Sequence, residues 1–122
     1  MGATTEFDVA ALTPVHWIGV VAAFVSAAVH LVLGIGFLPH WMGAAFLVAT
    51  AGFLAGIWLV VTGRQRRRVY LLGVPFTAGQ IGFWYLANRP GSLDALGPAE
   101  IVDKVAQVVL VIVLVVLYLR DA

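Results

Sequence analysis

The sequence predicts an all-α, polytopic membrane protein: a single domain of four transmembrane helices with both termini on the cytoplasmic side. Three observations carry this. Of 122 residues, 62% are apolar and only 11% are Asp, Glu, Lys or Arg, less than half the charged share of a water-soluble domain. The mean hydropathy is +1.03. The apolar residues gather into four runs of 19 to 24 residues, each long enough to cross a hydrocarbon core about 30 Å thick. A backbone in lipid must satisfy its own hydrogen bonds, so runs of this length are helices; barrel strands are shorter and alternate. Soluble enzymes, disordered tails and nucleic-acid binders are excluded, since a net charge of +1 holds no basic surplus for phosphate. The absence of cysteine removes disulfides and thiolate sites.

The N-terminal stretch carries Glu6 and Asp8 and no Lys or Arg, so it lacks the positive region of a signal peptide, and the first span is expected to be retained. That span runs over residues 15–38. Pro39 and His40 alone separate it from the second, 41–62, which forces an antiparallel hairpin. Residues 63–68 hold Arg64, Arg66, Arg67 and Arg68 and form a cytoplasmic loop under the positive-inside rule. The third span is 69–88, the loop 89–100 with Arg89, Asp94 and Glu100 is external, and the fourth span is 101–119, followed by Arg120. Five arginines then lie inside against one outside. Trp17, Trp58, Tyr70 and Tyr118 fall near the inner boundary, and Trp41, Trp84 and Tyr85 near the outer one, where amphipathic rings anchor.

Helices in lipid meet through small residues. The first span carries two ridges at spacing four, Gly19-Ala23-Ala27 and Ala22-Ser26-His30-Gly34, and the second carries Gly52 and Gly56 after Ala45 and Ala49. These two are expected to pack tightly. The fourth span, from Val108 to Leu119, is Val, Leu and Ile with one Tyr, a surface suited to lipid or a large apolar partner, with no small-residue seam. Pro75 predicts a kink or a loosened turn in the third span, read either as shape alone or as the hinge of a cavity.

An ionisable group at bilayer depth is costly and needs a reason. His30, Gln80, Asp103, Lys104 and Gln107 all fall in the middle or outer half of their spans, so three helices can feed one intramembrane polar cluster. Asp103 and Gln107 share a helix face. Two readings of the acid and the amine are open. In one they sit at the interface, with Lys104 extended to water; in the other they turn inward to His30 or Gln80. His30 reads as a neutral interhelical hydrogen-bonder to Gln80, Gln107 or Ser26, or as a proton-relay or ligand group. His16 and His30, 14 residues apart on one face, also have the spacing at which one helix ligates two stacked haems. No histidine in spans two to four supplies the second axial ligand, so haem would need a symmetric dimer. No cofactor or metal site is otherwise expected. No acid/base pair or nucleophile constellation is recognisable, no span has the interior Glu of a small multidrug exporter, and the halves show no inverted repeat.

The run Tyr70-Leu-Leu-Gly-Val-Pro-Phe-Thr-Ala-Gly-Gln-Ile-Gly-Phe-Trp-Tyr85, with Asp103-Lys-Val-Ala-Gln107 and the opening Leu12-Thr-Pro-Val-His-Trp17, resembles a family of small four-span haloarchaeal membrane proteins of uncharacterised function. The resemblance covers almost the whole chain. It implies an archaeal cytoplasmic membrane and carries no activity. The expectation is therefore a multi-pass, non-enzymatic protein of the cytoplasmic membrane. Its partners are the lipid bilayer and either a second copy or a larger membrane complex, with no nucleic acid. The alternatives are a small transport or proton-conducting unit built on the polar cluster and, more remotely, a b-type haem electron carrier.

Overall fold

The computed structural model describes residues 9–88 and 96–121. Glu6 and Asp8 of the N-terminal stretch, and Arg89 and Asp94 of the expected external loop, lie outside the described residues. After a single 3-10 turn, Val9–Ala11, four helices follow: α1 Pro14–Phe37, α2 Trp41–Val61, α3 Arg66–Asn88 and α4 Pro98–Asp121. Among the described residues there is no strand. Boundaries fall within three residues of the spans read from sequence. α1, α2 and α4 are long and apolar enough to cross a membrane. α3 is as long but more dilute, because it opens on Arg66, Arg67 and Arg68 and carries Tyr70, Pro75, Thr77, Gln80, Trp84 and Tyr85.

The helix ends have local causes. Pro14 stands at the first helical position of α1, where its fixed φ suits the turn and its missing N–H is not needed. The Thr13 N–H donates to His16 Nδ1 at 3.0 Å. α1 gives way at Leu38-Pro39, a cis peptide, and His40 caps α2 by accepting from the Met42 N–H at 3.1 Å. His40 is exposed at the turn, yet it is a helix cap rather than a merely solvated residue. α2 stops at Gly63, whose φ of 73° is the left-handed conformation that glycine adopts without strain. The Arg64 N–H donates to Leu59 O and the Gly63 N–H to Val60 O, 2.8 and 3.1 Å, which satisfies two orphan carbonyls. α3 continues through Pro75 with no break in the helix; Leu71 O, four residues back, receives no N–H from that position.

α1 packs on both α2 and α4, α4 packs on α3, and α2 meets α3 along a thinner seam. α1 and α2 touch at backbone level near their connection: a Cβ on Gly43 would lie 2.7 Å from Gly34 O and 2.9 Å from Leu38 N. Both α1 ridges are buried. The Gly52/Gly56 stripe of α2 faces α3 rather than α1, with Phe76 over Gly52 and Val69 beside Gly56; α2 turns Gly43, Thr50 and Phe53 inward instead. The Thr50 hydroxyl donates to Phe46 O at 3.0 Å and lies 3.4 Å from Ala27 O.

α4 departs most from the sequence expectation. Leu110, Val113, Leu114 and Leu117 are buried core residues, while Val105, Val108, Ile112, Val115 and Leu119 stay exposed. The helix needs no small residues there because its neighbours supply the space: Val113 fills the position of a side chain at Gly19, and Leu114 the one at Gly73. Tyr70, expected at the rim, is also core, at 1% exposure. Between all four helices a cavity of about 70 Å³ remains, walled by Phe53, Gly73, Leu110 and Leu114 among others, with His16 and Thr77 on its lining.

Two glycines separate packing from propensity. Gly43→Ala forces backbone apart and is expected to cost about 1 to 3 kcal/mol, as overpacking does. Gly36→Ala meets nothing within 4 Å and should be neutral or stabilising by about 0.5 to 1 kcal/mol through helix propensity. Thermal unfolding of the two variants in the same detergent measures both.

Candidate functional site

The site begins with the carboxylate of Asp103, one turn into α4 and 4% exposed. A buried carboxylate must be met by donors, and α1 provides the first. The Ser26 hydroxyl donates to Asp103 Oδ1 at 2.6 Å. His30, one turn on, places Nδ1 2.8 Å from Ser26 O. A carbonyl only accepts, so Nδ1 carries the proton, and the same nitrogen lies 3.7 Å from Asp103 Oδ1 and 3.4 Å from Ser26 Oγ. The rest of the imidazole is packed by α2: Phe46 sits edge-on at 5.2 Å and Phe53 tilted at 5.6 Å between centroids.

The other carboxylate oxygen faces the amine. Lys104 Nζ donates to Asp103 Oδ2 at 2.8 Å and to Gln107 Oε1 at 2.6 Å. Gln107, fully buried, donates through Nε2 to Gln80 Oε1 at 3.1 Å, and Gln80 donates to Phe76 O on its own helix at 3.0 Å. Lys104 also lies 5.2 Å over the Trp84 ring, close enough for cation–π attraction. The Trp84 indole N–H donates to Glu100 Oε2 at 2.9 Å, and Glu100 accepts the Gly97 N–H at 3.0 Å. The lysine is only 15% exposed at its side chain, with its amine on Asp103 and Gln107.

His30, Gln80, Asp103, Lys104 and Gln107 thus form one connected cluster, and Ser26, expected as a packing residue and as one partner of His30, is its sixth member through its bond to Asp103. Sequence reading placed Trp84 near the outer boundary and Glu100 in the external loop, and missed both as neighbours of the cluster. The signal was there: Trp84 follows Gln80, and Lys104 follows Glu100, by four residues, one helix face each. Chemically the arrangement is a neutral ion pair held by charge-assisted hydrogen bonds, with one imidazole beside the acid.

His16 belongs elsewhere. It caps α1 through Thr13 and sits on the cavity wall, 6.3 Å from the Tyr70 ring. Both candidate haem histidines are buried on the α1 face that α2 and α4 cover, so a dimer cannot share that face, and a cavity of about 70 Å³ is far too small for a porphyrin. The residues do not fit haem. Among the described residues no three His, Cys, Asp or Glu side chains converge for a metal ion.

The model of a family described as Family of unknown function (DUF7475) matches residues 2–118. The chain belongs to DUF7475. The match takes in all six cluster residues and agrees with the uncharacterised-family resemblance carried by Tyr70–Tyr85. No curated protein and no solved structure matches the chain. What this DUF7475 protein does must be read from its own geometry.

The Ser26–Asp103 bond is testable by itself. A hydrogen bond to a charged group contributes about 1.5 to 3 kcal/mol. Ser26→Ala and Asp103→Ala should each destabilise, and the double variant should lose less than the sum by about that amount, read from unfolding in detergent.

Proposed function

We propose that this DUF7475 protein is a non-enzymatic integral protein of the cytoplasmic membrane, a small accessory bundle that associates with itself or with a larger membrane complex. It crosses four times, with the Arg64–Arg68 loop and both termini inside. Three helices long and apolar enough to cross, and a fourth of equal reach carrying four arginines at its entry, support the topology. The archaeal membrane implied by the sequence resemblance is part of the same reading.

The observation that carries the functional part is that the buried polar groups answer one another within a single chain. Asp103 is neutralised by Lys104 and bonded by Ser26, and Lys104 and Gln107 close the circuit to Gln80. Such groups hold helices together. They do not present an open acid, base or nucleophile, and the cavity beyond them is walled almost wholly by hydrocarbon. What remains on the outside is apolar: Val21, Phe24, Val32 and Ile35 of α1, and Val105, Ile112 and Leu119 of α4. With so little polar surface, contact with other molecules runs through lipid-facing helices.

A transport or proton-conducting unit is the second reading, favoured by one observation. His30 and Asp103 lie 3.7 Å apart and buried, and the Thr77 hydroxyl on the cavity wall has no hydrogen-bond partner among the described residues, so a polar step exists between the cluster and the far end.

The lack of cysteine makes topology directly measurable. Arg64→Cys should react with an impermeant maleimide only from the cytoplasmic side and Ala99→Cys only from outside; labelling of both from one side overturns the four-span arrangement. In mild detergent the protein should run as a multiple of the protomer mass or with a defined partner, and a persistent monomer without partners overturns the accessory reading. A pH-dependent proton flux in liposomes, abolished by His30→Ala and by Gln80→Leu, would install the second reading.

A further inference from the structure

The seam between α2 and α3 is open where the other helix contacts are closed. A groove of about 380 Å³ runs along it, with Gly56 and Leu59 of α2 on one wall and Val69, Leu72 and Phe76 of α3 on the other. That volume lies within the range of small-ligand sites. The groove exists because Gly52 and Gly56 remove the side chains that would fill it. Phe76 occupies the space over Gly52 and closes its deep end. The same residues border the central cavity, so groove and cavity share a wall.

Its mouth is polar and cationic. Gln65 and Arg68 line it, at the end of the bundle where the arginines cluster. The neighbouring arginines are used within the chain: Arg66 Nε donates to Val60 O at 2.8 Å, and Arg67 donates to the Tyr118 hydroxyl at 3.0 Å with its guanidinium 4.5 Å over that ring. Arg68 is exposed and no acidic side chain lines the groove. Arg68 and Phe76 are about 12 Å apart along α3. A cation at headgroup level above an apolar channel of that depth matches one occupant, an amphiphile with an anionic head and a hydrocarbon tail. Basic pockets between membrane helices on the cytoplasmic side take acidic lipid headgroups for this reason.

We propose that the α2–α3 groove is a binding site for an anionic phospholipid of the cytoplasmic leaflet, with the phosphate on Arg68 and one hydrocarbon chain laid along Gly56 toward Phe76. The site rests on the four-span reading, which sets Arg68 at the cytoplasmic headgroups. In its absence α2 and α3 would have only their thin seam in common. The bound chain covers Leu59, Val69 and Leu72 from both helices at once and so acts as the missing packing between them.

The test counts lipids retained by the full chain in native mass spectrometry after exchange into mixed micelles of phosphatidylglycerol or phosphatidylcholine with the same chains. The wild type is expected to keep one phosphatidylglycerol per protomer, with phosphatidylcholine several-fold lower. Arg68→Ala should lower phosphatidylglycerol retention about fivefold and leave phosphatidylcholine unchanged. Gly56→Leu, which fills the groove, should lower both. Equal retention of the two lipids by the wild type, or phosphatidylglycerol retention unchanged by Arg68→Ala, overturns the proposal. Arg68→Ala is an exposed substitution that leaves the groove intact, so it decides even if Gly56→Leu does not fold. Maleimide labelling of Arg64→Cys and Ala99→Cys from opposite sides, alongside a failed lipid test, removes the site and leaves the topology standing; labelling from one side removes both.

Discussion

One buried carboxylate organises the bundle. Asp103 sits where an anion is expensive unless donors and a counter-charge surround it, and they come from different elements: Ser26 from α1, Lys104 from its own helix, and through Lys104 and Gln107 the amide of Gln80 on α3. The rotation of α4 about its axis follows. With Asp103 and Gln107 turned inward, helical periodicity turns Leu110, Leu114 and Leu117 inward below them, and these are the buried residues of the apolar half. Polar clamp and hydrocarbon core are two stretches of one helix face.

The glycines act on the same geometry from the opposite side. Gly19 and Gly73 receive Val113 and Leu114, and Gly34 and Gly43 let two backbones meet. Close fit and hydrogen bonds are the two means by which apolar helices hold one another. The bundle divides these means by depth: hydrogen bonds toward the α3–α4 connection, knobs in glycine holes toward the arginine end. Where glycine meets neither backbone nor a buried knob, as at Gly56, the outcome is an open groove.

Helix number, order and approximate ends were legible because long apolar runs and short polar links admit few alternatives. The five cluster residues were legible as a group because each is a polar side chain within a long apolar run and all share one half of the chain's zigzag. What could not be read was which face meets which. Gly52 and Gly56 look like a seam for α1, the nearest neighbour in sequence, but α1 is engaged by Gly43, Thr50 and Phe53, and the stripe turns to α3. The core face of α4 was hidden for a related reason. A Val/Leu/Ile helix looks alike on every side, and only the holes at Gly19 and Gly73 on other helices distinguish the buried side. Tyr70 resembles a headgroup anchor by residue type, yet its ring is enclosed.

The position of Asp103 in the chain carries a consequence for biogenesis. Ser26 and His30 belong to the first helix, and the carboxylate they meet belongs to the last. The α1–α2 hairpin can close early through Gly34 and Gly43, but its serine and histidine must wait for α4 with only α2 beside them. Gly19, too, holds an empty place until Val113 arrives. Completion of this fold is therefore gated by arrival of the final helix. An interrupted chain lacking it would leave Ser26 and His30 without the carboxylate they meet in the finished bundle.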